Sequence, residues 1–233
     1  MNKTEVLDLL KANQNEEGIA NWAHFGRNAG RMKTFGIGLT ELRKLAKQVG
    51  RDHKLAAQLW KSQVYDARII SLLVDDPKRI TREQVEVQVE ELKGGHLAHV
   101  FSSCGAPLAK VPFVVELASE WMASKDDMRR CCGFSLLYEI SKDKKKSAPA
   151  DAFFLERIKH IKKSYPDASY SVLGSMGGAL MGMGKRNPVL NAAALKVARA
   201  IGPIPVGGKG SNCDPFDVVK HLTSDYLRKK LGV

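Results

Sequence analysis

Between Phe35 and Pro77 the apolar residues recur at helical spacing. They are Leu39, Leu42, Leu45, Ala46 and Val49, then Leu55, Ala56, Leu59 and Trp60, then Ile69, Ile70, Leu72, Leu73 and Val74. The pattern predicts three short helices, separated by Gly50-Arg51-Asp52 and Lys61-Ser62-Gln63. Asp76-Pro77 ends the third, because proline cannot continue a helix and restricts the residue before it. None of the three could bury its apolar stripe alone, so each must stack on its neighbours.

The same period runs through the rest of the chain. Residues 1–34 read as one amphipathic helix carrying Val6, Leu7, Leu9 and Leu10, followed by a polar connection. Thr81 with Gln84 suggests a capping box at the start of a helix that Gly94-Gly95 ends. A short helix over 96–103 stops before Pro107, and Pro112 stands where a first helical residue belongs. Asp126 can cap the next helix, Asp151 opens another, and Asn187-Pro188 opens a third that reaches Ile201. The segment 168–184 is helical in period but holds five glycines, which close approach of a neighbouring backbone would explain. After a loop, GPIPVGGKGSNCDP, a last amphipathic helix is predicted over 216–231. No stretch sustains two-residue alternation, so the fold class is all-α.

Pro77, Pro112, Pro149 and Pro188 are 35, 37 and 39 residues apart, each near the join before the second helix of a pair. Two-helix repeats of about 35 to 47 residues have this length. The expected architecture is an α-solenoid of HEAT-like two-helix repeats, one domain over 1–233. Helices near 65–75, 96–105, 127–141 and 168–184 form one layer, and those near 81–93, 112–123, 151–163 and 188–201 the other. The concave side of such an array is its natural binding surface.

Charge adds a partner. The 37 basic and 25 acidic residues leave a formal charge of +12. Most of the excess falls in 27–54, net +6, and 142–163, net +5. Phosphate is the obvious counter-ion. Four cysteines without CxxC spacing fit a reduced protein, and the leucine-and-charge pattern of the first residues is not that of a signal peptide. The expectation is a cytoplasmic monomer with no membrane segment, no cofactor and no metal. His96, His99 and Cys104 are the nearest approach to a ligand set, loosely spaced and without a fourth member. Cys131 and Cys132 fit small core positions, and Trp22, Trp60 and Trp121 fit the core rather than base-stacking platforms. The glycine-rich GGKGSNC lacks the order of a phosphate-binding loop and follows no strand.

FGIGLTELRKLAK, LAAQLWKSQVYDARIISLLV and EWMASKDDMRRCCGFSLL, in that order, resemble the DNA alkylation repair family of HEAT-like proteins. Leu59, Trp60, Asp66, Ala67 and Arg68 are the most specific part of the match. The resemblance implies an α-solenoid whose basic concave face cradles double-stranded DNA and which, in base excision repair, acts as a glycosylase on alkylated purines. Such a base is cationic and already a good leaving group, so the demand is for a carboxylate beside the oxocarbenium-like sugar, aromatic faces, and an arginine on phosphate. The implied arginine is Arg130, preceded by Arg129. The family's tryptophan and aspartate fall on Leu97 and Phe101, and its second tryptophan on Gly178. Asp66 is then the candidate replacement carboxylate, and a buried inter-repeat ion pair is the other reading for Asp66 and Arg68. Arg43, Lys47, Arg129, Arg130, Lys185, Arg186 and Lys209 are the candidate backbone contacts, with pairing to Asp126 or Asp127 the other reading for Arg129 and Arg130. The alternatives to a divergent glycosylase are a non-catalytic nucleic-acid-binding HEAT protein and a scaffold for an acidic protein.

Overall fold

Helices account for every regular element among the described residues of the computed structural model, which are 1–25, 32–93, 96–143, 145, 148–206 and 213–232, with side chains 23–25 left aside. The chain divides into two compact units, 1–113 and 114–233.

The first unit holds α1 (Lys3–Ala12), α2 (Glu16–Phe25), α3 (Leu39–Val49), α4 (His53–Trp60), α5 (Tyr65–Val74), α6 (Arg82–Glu90) and α7 (Leu97–Ser102), followed by a 3-10 turn, Pro107–Lys110. The amino-terminal region is thus two helices where one was expected. Asn13 caps the end of α1, and Asn15 Oδ1 accepts from the Gly18 amide at 2.7 Å to start α2. The centre is α5, buried around most of its circumference by Tyr65, Ala67, Ile69, Ile70, Leu72 and Val74. Ile69, Ile70, Leu72 and Val74 each contribute on the order of 2 kcal/mol, and α1, α3, α4 and α7 all pack on α5 to bury them. Thr81 Oγ1 accepts from the Gln84 amide, but the Gln84 side chain donates to Asp75 Oδ2 at 2.7 Å, so only half of the capping box forms.

The second unit holds α8 (Val114–Met122), α9 (Asp127–Lys142), α10 (Asp151–Ser164), α11 (Tyr170–Gly184), α12 (Pro188–Ile201), α13 (Val218–Leu222) and α14 (Asp225–Leu231). Pro112 lies ahead of α8 rather than in its first turn. Asp126 Oδ1 accepts from the Arg129 amide at 2.8 Å and Asn187 Oδ1 from the Leu190 amide at 2.9 Å, capping α9 and α12. α9 and α11 pack side by side, α10 packs on α12, and α11 packs on α12, which gives this unit the two expected layers. The last predicted helix is broken in two. Thr223 and Ser224 hydroxyls donate to the carbonyls of Val219 and His221, a local competition that ends α13 and lets α14 restart. Among the described residues no helix is long and apolar enough to cross a membrane.

Candidate nucleic-acid interface

Arg43 and Lys47 are one turn apart on α3 and share a face. Gly50, at φ +79°, accepts the end of α3 and turns the chain so that Arg51 returns to the same place. The three cations border a cavity of about 490 Å³, walled also by Ala46, Gly50, Leu73 and Cys104. No acidic residue is among these lining residues. Arg51 Nη1 donates to the Asp75 carbonyl at 2.6 Å, which holds its guanidinium against α5's end. Such a concentration of charge beside a concavity suits a phosphate group.

Asp66 is elsewhere and does something else. It is fully buried, its Oδ2 accepting from Thr34 Oγ1 and the Phe35 amide, both at 2.8 Å, and its Oδ1 from the Ile37 amide at 3.1 Å. Arg68 does not pair with it. That guanidinium reaches Glu91 at 3.4 Å, donates to the Ser62 carbonyl and lies 5.0 Å from the centre of a Trp60 ring. Asp66 is thus buried, but its partners are a hydroxyl and two backbone amides rather than a cation or a substrate, so it anchors the loop ahead of α3 and its readings as replacement carboxylate and as member of an ion pair are corrected. Above that loop a second cavity, also about 490 Å³, is walled by Trp22, Tyr65 and His96 among others. Trp60 and Trp121 are core side chains, whereas Trp22 is half-buried, 4.5 Å from the Tyr65 ring.

In the second unit Arg130 Nη1 lies 3.3 Å from Asp127 Oδ1, with the arginine side chain 16% and the aspartate 49% exposed. Arg129 is half-buried beside it. Burial pushes the Cys131 thiol up, against hydrogen bonds with Ser175 and Ser171 that would lower it, so this face of α9 meets α11. Burial also pushes His160 down, opposed by a hydrogen bond to the Met122 backbone and reinforced by the charges of Arg157, Arg130 and Lys163. Lys185, just beyond α11, is pushed down by burial and then by Lys230, which places a second group of cations where α11 ends near α14.

Arg186 is corrected from backbone contact to structural clamp. Its Nη1 donates to the carbonyls of Ser141 at 2.6 Å and Asp143 at 2.7 Å, and its guanidinium lies 4.4 Å from the Phe154 ring centre. It thereby satisfies the open carbonyls at the end of α9. Lys209 lies outside the described residues, as do Lys144, Lys146 and most of the glycine-rich loop. Leu97 and Phe101 are core side chains, 0% and 2% exposed, so α7 offers neither an aromatic face nor a carboxylate at those places. Around Gly178 there is open space. Arg51 and Lys230 join the candidate cations without having been singled out in the sequence. Arg51 follows Arg43 and Lys47 at steps of four, a signal the sequence carried, whereas nothing in it brings Lys230 to Lys185.

Residues 6–203 match the family model described as DNA alkylation repair enzyme. The chain is 22% identical over 190 residues to the uncharacterized protein Lin0241 of Listeria innocua serovar 6a, covering 81% of each. To the uncharacterized protein Lmo0209 of Listeria monocytogenes serovar 1/2a it is 21% identical over 198 residues, covering 84% of this chain and 85% of that one. It superposes with a TM-score of 0.82 and 18% identity, over 100% of its own length and 97% of the other, on a solved structure. That structure is described as a new family of proteins related to the HEAT-like repeat DNA glycosylases with affinity for branched DNA structures. The likeness establishes the HEAT-like repeat fold.

Proposed function

The chain belongs to the DNA alkylation repair enzyme family, and from that membership we propose that it is a DNA-binding protein that holds double-stranded DNA by its phosphates. The observation that carries this reading is the cavity bordered by Arg43, Lys47 and Arg51. A phosphate there releases counter-ions and meets several cations at once, whereas the same side chains scattered over a surface would each be screened. Lys185 with Lys230, and Arg129 with Arg130, supply further contacts in the second unit, and the full chain acts as one binding domain. Branched DNA is the preferred form to test, given the affinity described for the solved relative. The experiment is fluorescence anisotropy on a duplex and on a four-way junction with the same arm sequences, from about 50 to 200 mM salt. Tight binding with a steep loss of affinity as salt rises supports the reading. Salt-insensitive or absent binding to both overturns it, and equal affinity for the two forms overturns only the preference for branched DNA.

A second reading keeps catalysis. Asp127, half exposed and 3.3 Å from Arg130, is a carboxylate beside the arginine that the family resemblance singles out. It could face the sugar of an alkylated purine nucleotide while Arg130 holds phosphate, taking the part that Asp66 cannot. Release of methylated purine from damaged duplex DNA, abolished in Asp127→Asn, is the outcome this reading requires. DNA binding without base release leaves the non-catalytic reading standing.

A further inference from the structure

Cys104 differs chemically from the other cysteines. Its Sγ lies 2.7 Å from His99 Nε2, and its backbone sits at φ +61°, a region that side chains other than glycine seldom occupy. It forms part of the wall of the cavity that Arg43, Lys47 and Arg51 border. Cys132 is fully buried, burial pushes the Cys131 thiol up, and Cys213 lies exposed on the surface.

At 2.7 Å the thiol proton is within reach of the imidazole. Its transfer leaves a thiolate beside an imidazolium, and the three cations of the cavity favour the anionic sulfur further. A thiolate, not a thiol, attacks disulfides. The cavity, at about 490 Å³, is of a size for small ligands, which occupy roughly 300–1,000 Å³.

We infer that Cys104 is a thiol–disulfide exchange site for small anionic disulfides, whose carboxylates are held by Arg43, Lys47 and Arg51. The Cys104 sulfur attacks one sulfur of R–S–S–R and forms Cys104–S–S–R. The old S–S bond breaks with its electron pair on the departing R–S⁻, which takes the proton back from His99. The disulfide is reduced by as much as Cys104 is oxidised, so no further oxidant enters, and a free thiol reverses the step. The consequence rests on the phosphate-binding role proposed above: the carboxylates of R occupy the cations that DNA would use, so modified protein binds DNA weakly.

The reduced full-length chain is incubated at pH 7 with glutathione disulfide, which is anionic, or with cystamine, which is cationic, and adducts are assigned by intact mass and peptide mapping. Expected is a glutathione adduct at Cys104 that forms about tenfold faster than the cystamine adduct and ahead of any at Cys213. Arg43→Gln with Lys47→Gln removes the preference for the anionic reagent. His99→Gln, at an exposed position, slows both reactions. Equal rates for the two reagents, or Cys213 reacting first, overturns the assignment. The adduct is then assayed against duplex DNA, where an affinity loss of about tenfold is expected, and unchanged affinity overturns the switch. Unmodified protein that fails to bind duplex refutes the phosphate-binding reading instead, while the labelling rates, read without DNA, decide the thiol site by themselves.

Discussion

The Asp66 carboxylate lies 2.8 Å from the backbone nitrogen of Phe35, 31 residues earlier, and with Thr34 and Ile37 it fixes the turn that leads into α3. Because α3 carries Arg43 and Lys47, a fully buried side chain positions the cationic cavity without touching it.

Asp66→Ala leaves two backbone amides and a hydroxyl without their acceptor. Each orphaned buried donor costs about 1–3 kcal/mol, so a loss of about 3–5 kcal/mol is expected, and Asp66→Asn, keeping one acceptor oxygen, loses less. Urea unfolding measures both. A catalytic Asp66 would behave in the opposite way, with stability kept and any base release abolished.

Gly178 and Gly182 are one turn apart in α11, yet alanine has opposite effects at the two. Nothing lies within 4 Å of a Cβ built at Gly178. Gly178→Ala therefore recovers the helix preference of alanine, about 1 kcal/mol. At Gly182 the same Cβ overlaps the Ser141 hydroxyl and sits 2.6 Å from Tyr138 Cδ2, so Gly182→Ala costs about 1–3 kcal/mol through overpacking. Thermal unfolding of the two variants, one raised and one lowered in Tm, checks the assignment of one as open surface and the other as a packing contact.

The helices were legible because the apolar period of 3.6 residues is local. The caps at Asp126 and Asn187 read correctly for the same reason: each needs only residues three positions away. What the sequence hid was long-range. Gly177, Gly182 and Gly184 of α11 answer to side chains such as Tyr138 and Leu222 rather than to a neighbouring backbone, while Gly174 and Gly178 meet nothing within 4 Å. Asp66 finds its partners about thirty residues back, and Arg186 finds the end of α9 more than forty residues back. A half-buried clamp and a solvated phosphate ligand look alike as a lone arginine in a sequence; only the carbonyls around Arg186 separate them. Arg43 and Lys47 were legible because one helical turn brings them together whatever else the chain does.

His160 predicts a pH dependence. Its folded pKa lies below the ordinary 6.5, chiefly through burial and then through the Arg157, Arg130 and Lys163 charges. The unfolded chain therefore binds this proton more readily, and folding stability falls as pH is lowered from 6.5 toward the depressed folded value. Above 6.5 the contribution is fully present. His160→Gln should flatten the stability curve in that window and leave the region above pH 7 shaped as before. Chemical denaturation of both proteins across the acid range checks the sign, and a variant that loses stability on acidification as steeply as the parent counts against it.

The sharpest prediction separates cations that meet phosphate from cations that hold the fold. Each phosphate contact on duplex DNA contributes about 0.9 to the slope of log K against log salt, so Arg43→Gln with Lys47→Gln should lower the magnitude of that slope by about 1.8. Arg51→Gln should take away roughly another 0.9 at most, since part of its guanidinium serves the Asp75 carbonyl. Arg186→Gln should leave the slope as it is and lower stability by about 1–3 kcal/mol, because the carbonyls of Ser141 and Asp143 lose a charged donor. Titrations at four or five salt concentrations, with unfolding measured on the same samples, distinguish the two behaviours. If the double variant keeps the parent slope while Arg186→Gln loses it, the phosphates lie against the second unit and the cavity beside α3 holds something else.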